Sequence, residues 1–165
     1  MIALTEDKRM LGYGVMTPYS NIFCFATTRR EGFSKGDYAS FNCTPYTGDD
    51  AESVRRNQEL LCNSMPQPPK ELVIPFQTHG TKVEVIDEKY LNATSDERTV
   101  MLQGVDALIT KEPGCCICIS TADCIPILLY DCKNQVVAAA HAGWRGTVNY
   151  IAGHTLDRMR ALYGT

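Results

Sequence analysis

The sequence predicts a mixed α+β fold rather than a doubly wound parallel sheet, and three observations carry that prediction. Between residues 72 and 141, short apolar runs recur between turns, each the length of a strand. Two segments, near 50–63 and from 148 onward, repeat their apolar residues at helical spacing instead. The order of these elements is not the regular strand–helix alternation that a doubly wound sheet requires.

Taken in order, NIFCFATT (21–28) reads as a strand that runs into RREGFSKGDYASFN (29–42), a loop marked by Gly32 and Gly36. Asp49 with Glu52 three positions on is an N-terminal helix signature, and Ala51, Val54 and Leu61 follow at helical spacing. A helix is therefore expected over 50–63. MPQPPK (65–70) stops it, because proline cannot continue a helix interior. LVIPF (72–76), KVEVID (82–87), DALIT (106–110), CCICIS (115–120), IPILLY (125–130) and QVVAAAH (135–141) then read as strands. Several are apolar on both faces, as in strands covered from two sides. Residues 88–104 read as a polar connection. Val148, Ile151, Ala152, Thr155, Leu156, Met159 and Leu162 predict a final amphipathic helix packed on the sheet.

Length and composition narrow the function. At 165 residues, 44% hydrophobic and 21% charged, the chain is expected to be one domain or two small lobes sharing a core. A net charge of −3 gives no general attraction for phosphate backbones, so no nucleic-acid partner is expected. The opening MIALTEDKRMLGYG lacks the pattern of a signal peptide, and runs such as VVAAA (136–140) are too short for a bilayer. No membrane partner is expected, and the cytoplasm is the default location. Eight cysteines stand at 24, 43, 62, 115, 116, 118, 124 and 132. For most of them a buried thiol is the expectation. Cys115 and Cys118 formally make a CxxC, but inside an apolar β-like run rather than at a helix start.

The chemistry-bearing residues sit at element ends. His79 lies in FQTHGT between two predicted strands, Cys124 in STADCIP at the junction of two others, and His141 in AAAHAGWRGT where a strand meets a glycine-rich turn. Two imidazoles and a thiolate suit zinc, and three protein ligands with one open position is the catalytic pattern. The separations are long, so other readings stay open. His79 capping a turn, His141 as a satisfied core histidine and Cys124 as a buried thiol would explain the same residues. So would a metal-free site with Cys124 as nucleophile, a histidine as its base and Asp123 orienting it. Gly143 and Gly146 flank Trp144 and Arg145, where backbone amides and a forked cation suit an anion; the alternative is an exposed arginine beside a surface tryptophan. Arg29 and Asn42 bracket the Gly-containing loop, either as a polar wall of the site or as ordinary loop hydrogen bonding.

The segments TTRREGFSKGDYASFN (27–42), GDDAESVRRN (48–57), FQTHG (76–80), VDALIT (105–110), STADCIPILLYD (120–131) and AAAHAGWRGT (138–147) together resemble the YfiH family. Its members have been called multicopper polyphenol oxidoreductase laccases and zinc-dependent purine nucleoside phosphorylases. The motifs occur in family order across almost the whole chain, and HAGWRG with TADC is highly specific. The resemblance implies that His79, Cys124 and His141 are catalytic residues and zinc ligands, with copper the other metal the family name carries. It implies Arg29 and Asn42 as substrate-binding residues near the pocket of a small-molecule nucleoside, and Arg145 with the Gly143–Gly146 amides is the candidate to hold the phosphate. The implied reaction is phosphorolysis of adenosine, inosine and S-methyl-5'-thioadenosine, with adenosine deamination as a side activity. The competing activities are a metal-independent Cys-His amidohydrolase of cell-wall precursors and a copper-dependent polyphenol oxidase. The implied fold is similar to the CNF1/YfiH-like cysteine hydrolase fold, with mixed β-sheets packed between helices, in a monomer or homodimer. Two departures stand out: Tyr46 replaces a histidine frequent in relatives, and family members continue past the helix ending RALYGT. The expectation is thus a single YfiH-like domain over 1–165 lacking its C-terminal portion. Zinc deaminases pair the metal with a carboxylate; no HxE motif surrounds His79 or His141, and Asp123 is the candidate proton carrier.

Overall fold

A computed structural model describes residues 1–165, which divide into two compact units, Met1–Pro68 and Pro69–Thr165. The first holds a three-stranded antiparallel sheet of β1 (Ile2–Ala3), β2 (Met10–Gly12) and β3 (Phe25–Thr27), in that order. Only the last of these strands was legible in the sequence, and it is shorter than the run at 21–28. The helix α1 spans Ala51–Asn63. Its cap is Asp50 rather than Asp49, with the Asp50 carboxylate accepting from the Ser53 amide at 2.8 Å. Asp49 instead accepts from Asn42 Nδ2 at 3.0 Å. The buried face of α1 is Val54, Asn57 and Leu61.

Asn57 is the organising residue of that unit. It is fully buried, accepts from the Phe33 amide at 2.8 Å and donates to Ser34 Oγ and to the carbonyls of Ser40 and Asn42. One amide side chain thereby holds the 33–42 loop, whose own backbone forms no sheet. Asn57→Leu leaves those groups without a partner, and each buried orphan costs about 1–3 kcal/mol. Chemical denaturation is expected to show a loss of roughly 3 kcal/mol.

The second unit is built on a four-stranded mixed sheet in the order β5-β6-β9-β8. Here β5 is Lys82–Ile86, β6 is Val105–Thr110, β8 is Ile125–Asp131 and β9 is Val136–Ala142. β5 and β6 are parallel, whereas β9 is antiparallel to both β6 and β8. A separate parallel pair joins β4 (Glu71–Val73) to β7 (Cys115–Ile117). The expectation of a mixed α+β class holds, and every residue of β6 is buried, as its two-sided apolar pattern requires.

The connection at 88–104 is not simply polar loop. It contains α2 (Glu88–Asn92) and α3 (Ser95–Met101), capped by Asp87 and by a Thr94–Glu97 capping box. These short helices carry the parallel crossover from β5 to β6 and bury Tyr90 and Leu102 with Val73, Ile86, Val105 and Leu108. The final helical stretch is broken in two, α4 (Trp144–Val148) and α5 (Ile151–Tyr163), with Tyr150 left-handed at φ 65° between them. Val148 therefore leaves the predicted apolar stripe and is exposed, while Ile151, Thr155 and Met159 are buried. The alanines of β9 let α5 approach closely: Ile151 packs with Ala107, Ala140 and Ala142, and Met159 with Ile109, Val136 and Ala138. No helix is long and apolar enough to cross a membrane. The buried-thiol expectation is corrected: seven cysteines are only partly buried, Cys132 is exposed, and none is in a disulfide.

Candidate metal centre

The strand directions bring one end of the sheet together. β5, β6 and β8 begin where β9 ends, so the turn before β5, the start of β6, the residue before β8 and the end of β9 are neighbours. Ala107 opposite Ala140 sets Asp106 beside His141, and Ile125 opposite Ala142 brings Cys124 alongside Gly143. Residues distant in sequence meet for this reason.

His79, Cys124 and His141 each offer one donor atom, and the three atoms lie within 4.8 Å of one another. The two imidazoles stand edge to face, with centroids 4.7 Å apart at 75°. Exposure rises from buried His141 through partly buried Cys124 to exposed His79, so the group opens to solvent on the His79 side.

Behind the donors lies a carboxylate that the sequence reading passed over. Asp106 is fully buried and faces His141 Nδ1 at 2.8 Å. It also accepts from the amides of Thr78, His79 and Gly80 at 3.2, 3.0 and 2.8 Å. Burial alone would raise its pKa, but the hydrogen bonds from His141, Gly80 and Thr78 outweigh that, and the pKa is lowered. A carboxylate can only accept, so His141 carries its proton on Nδ1 and leaves the Nε2 lone pair for a ligand. The same carboxylate cups three successive amides and so holds His79 at φ 61°, a left-handed conformation that costs a non-glycine residue about 1 kcal/mol or more. One buried charge therefore sets both imidazoles. The signal for it was present: Asp106 is the single charged residue in the apolar run VDALIT.

Gly143 is required by contact. A Cβ there would lie 2.7 Å from His79 Cδ2 and 3.3 Å from Cys124 Sγ. Gly146 likewise lets α4 approach the donor turn, since its Cβ would lie 3.0 Å from the Gly80 carbonyl oxygen. Gly143→Ala is expected to push the exposed His79 ring outward and weaken metal binding roughly tenfold in a zinc titration. The melting temperature should change little.

Of the residues singled out from sequence, the structure brings together His79, Cys124 and His141. Arg145 is exposed, with its guanidinium 5.3 Å from the centroid of the Trp144 ring, itself 72% exposed. In the first unit Arg29 donates to the carbonyls of Ala39 and Asp37, and Asn42 donates to Thr47 and Asp49. Asp123 is exposed.

The donor set fits a divalent ion. Tetrahedral zinc, with bonds of about 2.0–2.3 Å, holds ligands roughly 3.5 Å apart, so donors already within 4.8 Å of one another need only a small side-chain movement to close on an ion. Two imidazoles and one thiol suit zinc or copper, and three protein ligands leave a position for another molecule.

An α+β sheet thus gathers, over a buried carboxylate, three donors that could hold a metal ion. The chain belongs to the YfiH family, described as multi-copper polyphenol oxidoreductase laccase, which it matches over residues 23–165. It is 62% identical to the purine nucleoside phosphorylase of Bacteroides thetaiotaomicron over 165 residues, all of this chain and 61% of that one. It is 41% identical over 150 residues to adenosine deaminase RL5 from an unknown prokaryotic organism, covering 85% of this chain and 57% of the relative. The crystal structure of YlmD from Geobacillus stearothermophilus superposes with a TM-score of 0.85 at 30% identity, over 98% of this chain and 59% of that one. The chain thus spans little more than half the length of the relatives it matches.

Proposed function

We propose that this chain carries the metal centre of a zinc-dependent purine nucleoside phosphorylase acting on adenosine, inosine and S-methyl-5'-thioadenosine, with adenosine deamination as a side activity. The observation that carries the reading is the meeting of His79, Cys124 and His141, in a chain 62% identical to a relative named purine nucleoside phosphorylase. The relative named adenosine deaminase supports the second activity. His79, Cys124 and His141 would hold the ion, which supplies Lewis-acid stabilisation of charge on a substrate oxygen.

The chain's own residues have distinct tasks in this reading. Asp106 fixes the His141 tautomer and the 78–80 turn, and the open His79 side admits the nucleoside. In phosphorolysis a phosphate oxygen bonds to the sugar C1′ as the purine leaves, so positive charge grows on the sugar beside a dianion. Arg145, exposed at the start of α4, is assigned to hold that dianion. With both oxygens engaged by four donors, Asp106 does not shuttle protons. The exposed Asp123 next to Cys124 is the carboxylate assigned to proton transfer in deamination.

Elemental analysis of purified protein, followed by an adenosine assay with and without phosphate, tests the reading. One zinc per chain and phosphate-dependent release of adenine are expected, with loss of activity on chelation. Activity that survives chelation but is blocked by alkylation of Cys124 would favour the thiol as nucleophile and an amidohydrolase. Bound copper with phenol oxidation would favour the oxidase.

A further inference from the structure

We propose that Cys116 and Cys118 form a redox-active dithiol, a second reactive site that a hydroperoxide converts to an intrachain disulfide. This inference stands independently of the function proposed above. The two sulfurs lie 3.7 Å apart, one thiol donating to the other. Strand alternation explains why these two are paired out of three nearby cysteines. Cys115 and Ile117 pack against the core around Val73, Leu102 and Leu108, which leaves Cys116 and Cys118 on the opposite face.

The backbone holds the pair in place. Leu72 is the register partner of Cys116, and the Cys118 amide donates to the Val73 carbonyl at 2.9 Å. Two residues on, Ser120 and Gln77 exchange two hydrogen bonds, at 2.7 and 2.8 Å. Residues two apart in a strand have Cα atoms about 6.6 Å apart. Disulfides span about 4.4–6.8 Å between Cα atoms. A disulfide also needs Cβ atoms about 3.5–4.5 Å apart, closer than an extended strand holds residues two apart, so closure needs the chain to bend at Cys118, the first residue past β7.

The thiols differ in reactivity. The hydrogen bond from Cys118 lowers the Cys116 pKa against the opposing effect of burial. Burial raises Cys24 and Cys115, and pushes Cys43 up to about 12 with a contribution from nearby Cys62. Cys116 is therefore the attacking thiolate and Cys118 the resolving thiol. The Cys116 sulfur takes one oxygen of the peroxide as the O–O bond breaks, giving a sulfenic acid and an alcohol. The Cys118 sulfur then displaces hydroxide from that sulfenic acid; the S–S bond forms and water leaves with the Cys118 proton. Two electrons pass from the sulfur pair to the peroxide, and a thiol reductant reverses the change.

The test is treatment of the purified protein with one equivalent of hydrogen peroxide, then alkylation and fragmentation mass spectrometry. Cys116 and Cys118 are expected to be protected together, about tenfold faster than exposed Cys132 is modified, with the intact mass reduced by two hydrogens. Cys118→Ser should halt at a sulfenic acid on Cys116 that dimedone traps, whereas Cys115→Ser should still form the bridge. A bridge to Cys115 or Cys124 in the unsubstituted protein, or equal modification rates at Cys116 and Cys132, would overturn the proposal. That first measurement decides the matter even if a variant fails to fold.

Discussion

Asp106→Asn is expected to damage stability and metal binding together. The side chain is fully buried, and its two oxygens face four N–H donors, three from the backbone at 78–80 and one from His141. Replacing one oxygen by NH2 sets donors against donors and leaves at least one buried amide without an acceptor, a loss of roughly 2–4 kcal/mol. It also releases the left-handed turn that presents His79 and the hydrogen bond that selects the His141 tautomer. Metal affinity should fall roughly tenfold to a hundredfold, as when the outer partner of a metal-bound histidine is removed. Denaturation and zinc titration of the same preparation check both effects. A variant with native stability and native zinc affinity would show that Asp106 does not set the donors.

His79→Ala is expected to separate what Asp106→Asn confounds. His79 is exposed and its backbone amide, not its ring, bonds Asp106, so the substitution removes no buried contact from the core. Stability should stay within about 1 kcal/mol of the parent. Removing one of three ligands should nevertheless lower zinc affinity about a hundredfold or more, because two protein donors do not hold a catalytic ion. Phosphorolysis and deamination should then disappear together, since both are assigned to the same ion. A folded, zinc-free variant that keeps either activity would contradict the assignment.

How much of this was legible beforehand depends on the range of the interactions involved. The strands from 82 onward and α1 were readable because their apolar patterns are local and their turns carry glycine, proline or capping residues. The two strands before residue 13 were missed because two- and three-residue strands leave no pattern to count. The helices at 88–101 were missed for a related reason. At five and seven residues they hold too few turns to show a period, although the Thr94–Glu97 capping box was there to be read. The break at Tyr150 is a tertiary effect: φ 65° is tolerated so that α5 can lie along the alanines of β9. His79, Cys124 and His141 drew attention as reactive residue types at element ends, but only strand register brings them together. Asp106 escaped because it sits inside a strand, where a lone carboxylate was read past as part of an apolar run. A buried charge that a strand tolerates needs partners, and that rule would have pointed to the donors.

The central claim is that two imidazole nitrogens and one sulfur of this chain bind a single ion. X-ray absorption at the metal edge of the purified protein, calibrated by elemental analysis, measures that directly. The expected result is one zinc per chain with a single sulfur shell at about 2.3 Å and two nitrogen neighbours at about 2.0–2.1 Å. The sulfur shell should be lost in Cys124→Ala. A first shell of nitrogen and oxygen alone, or a sulfur shell that persists without Cys124, would contradict it.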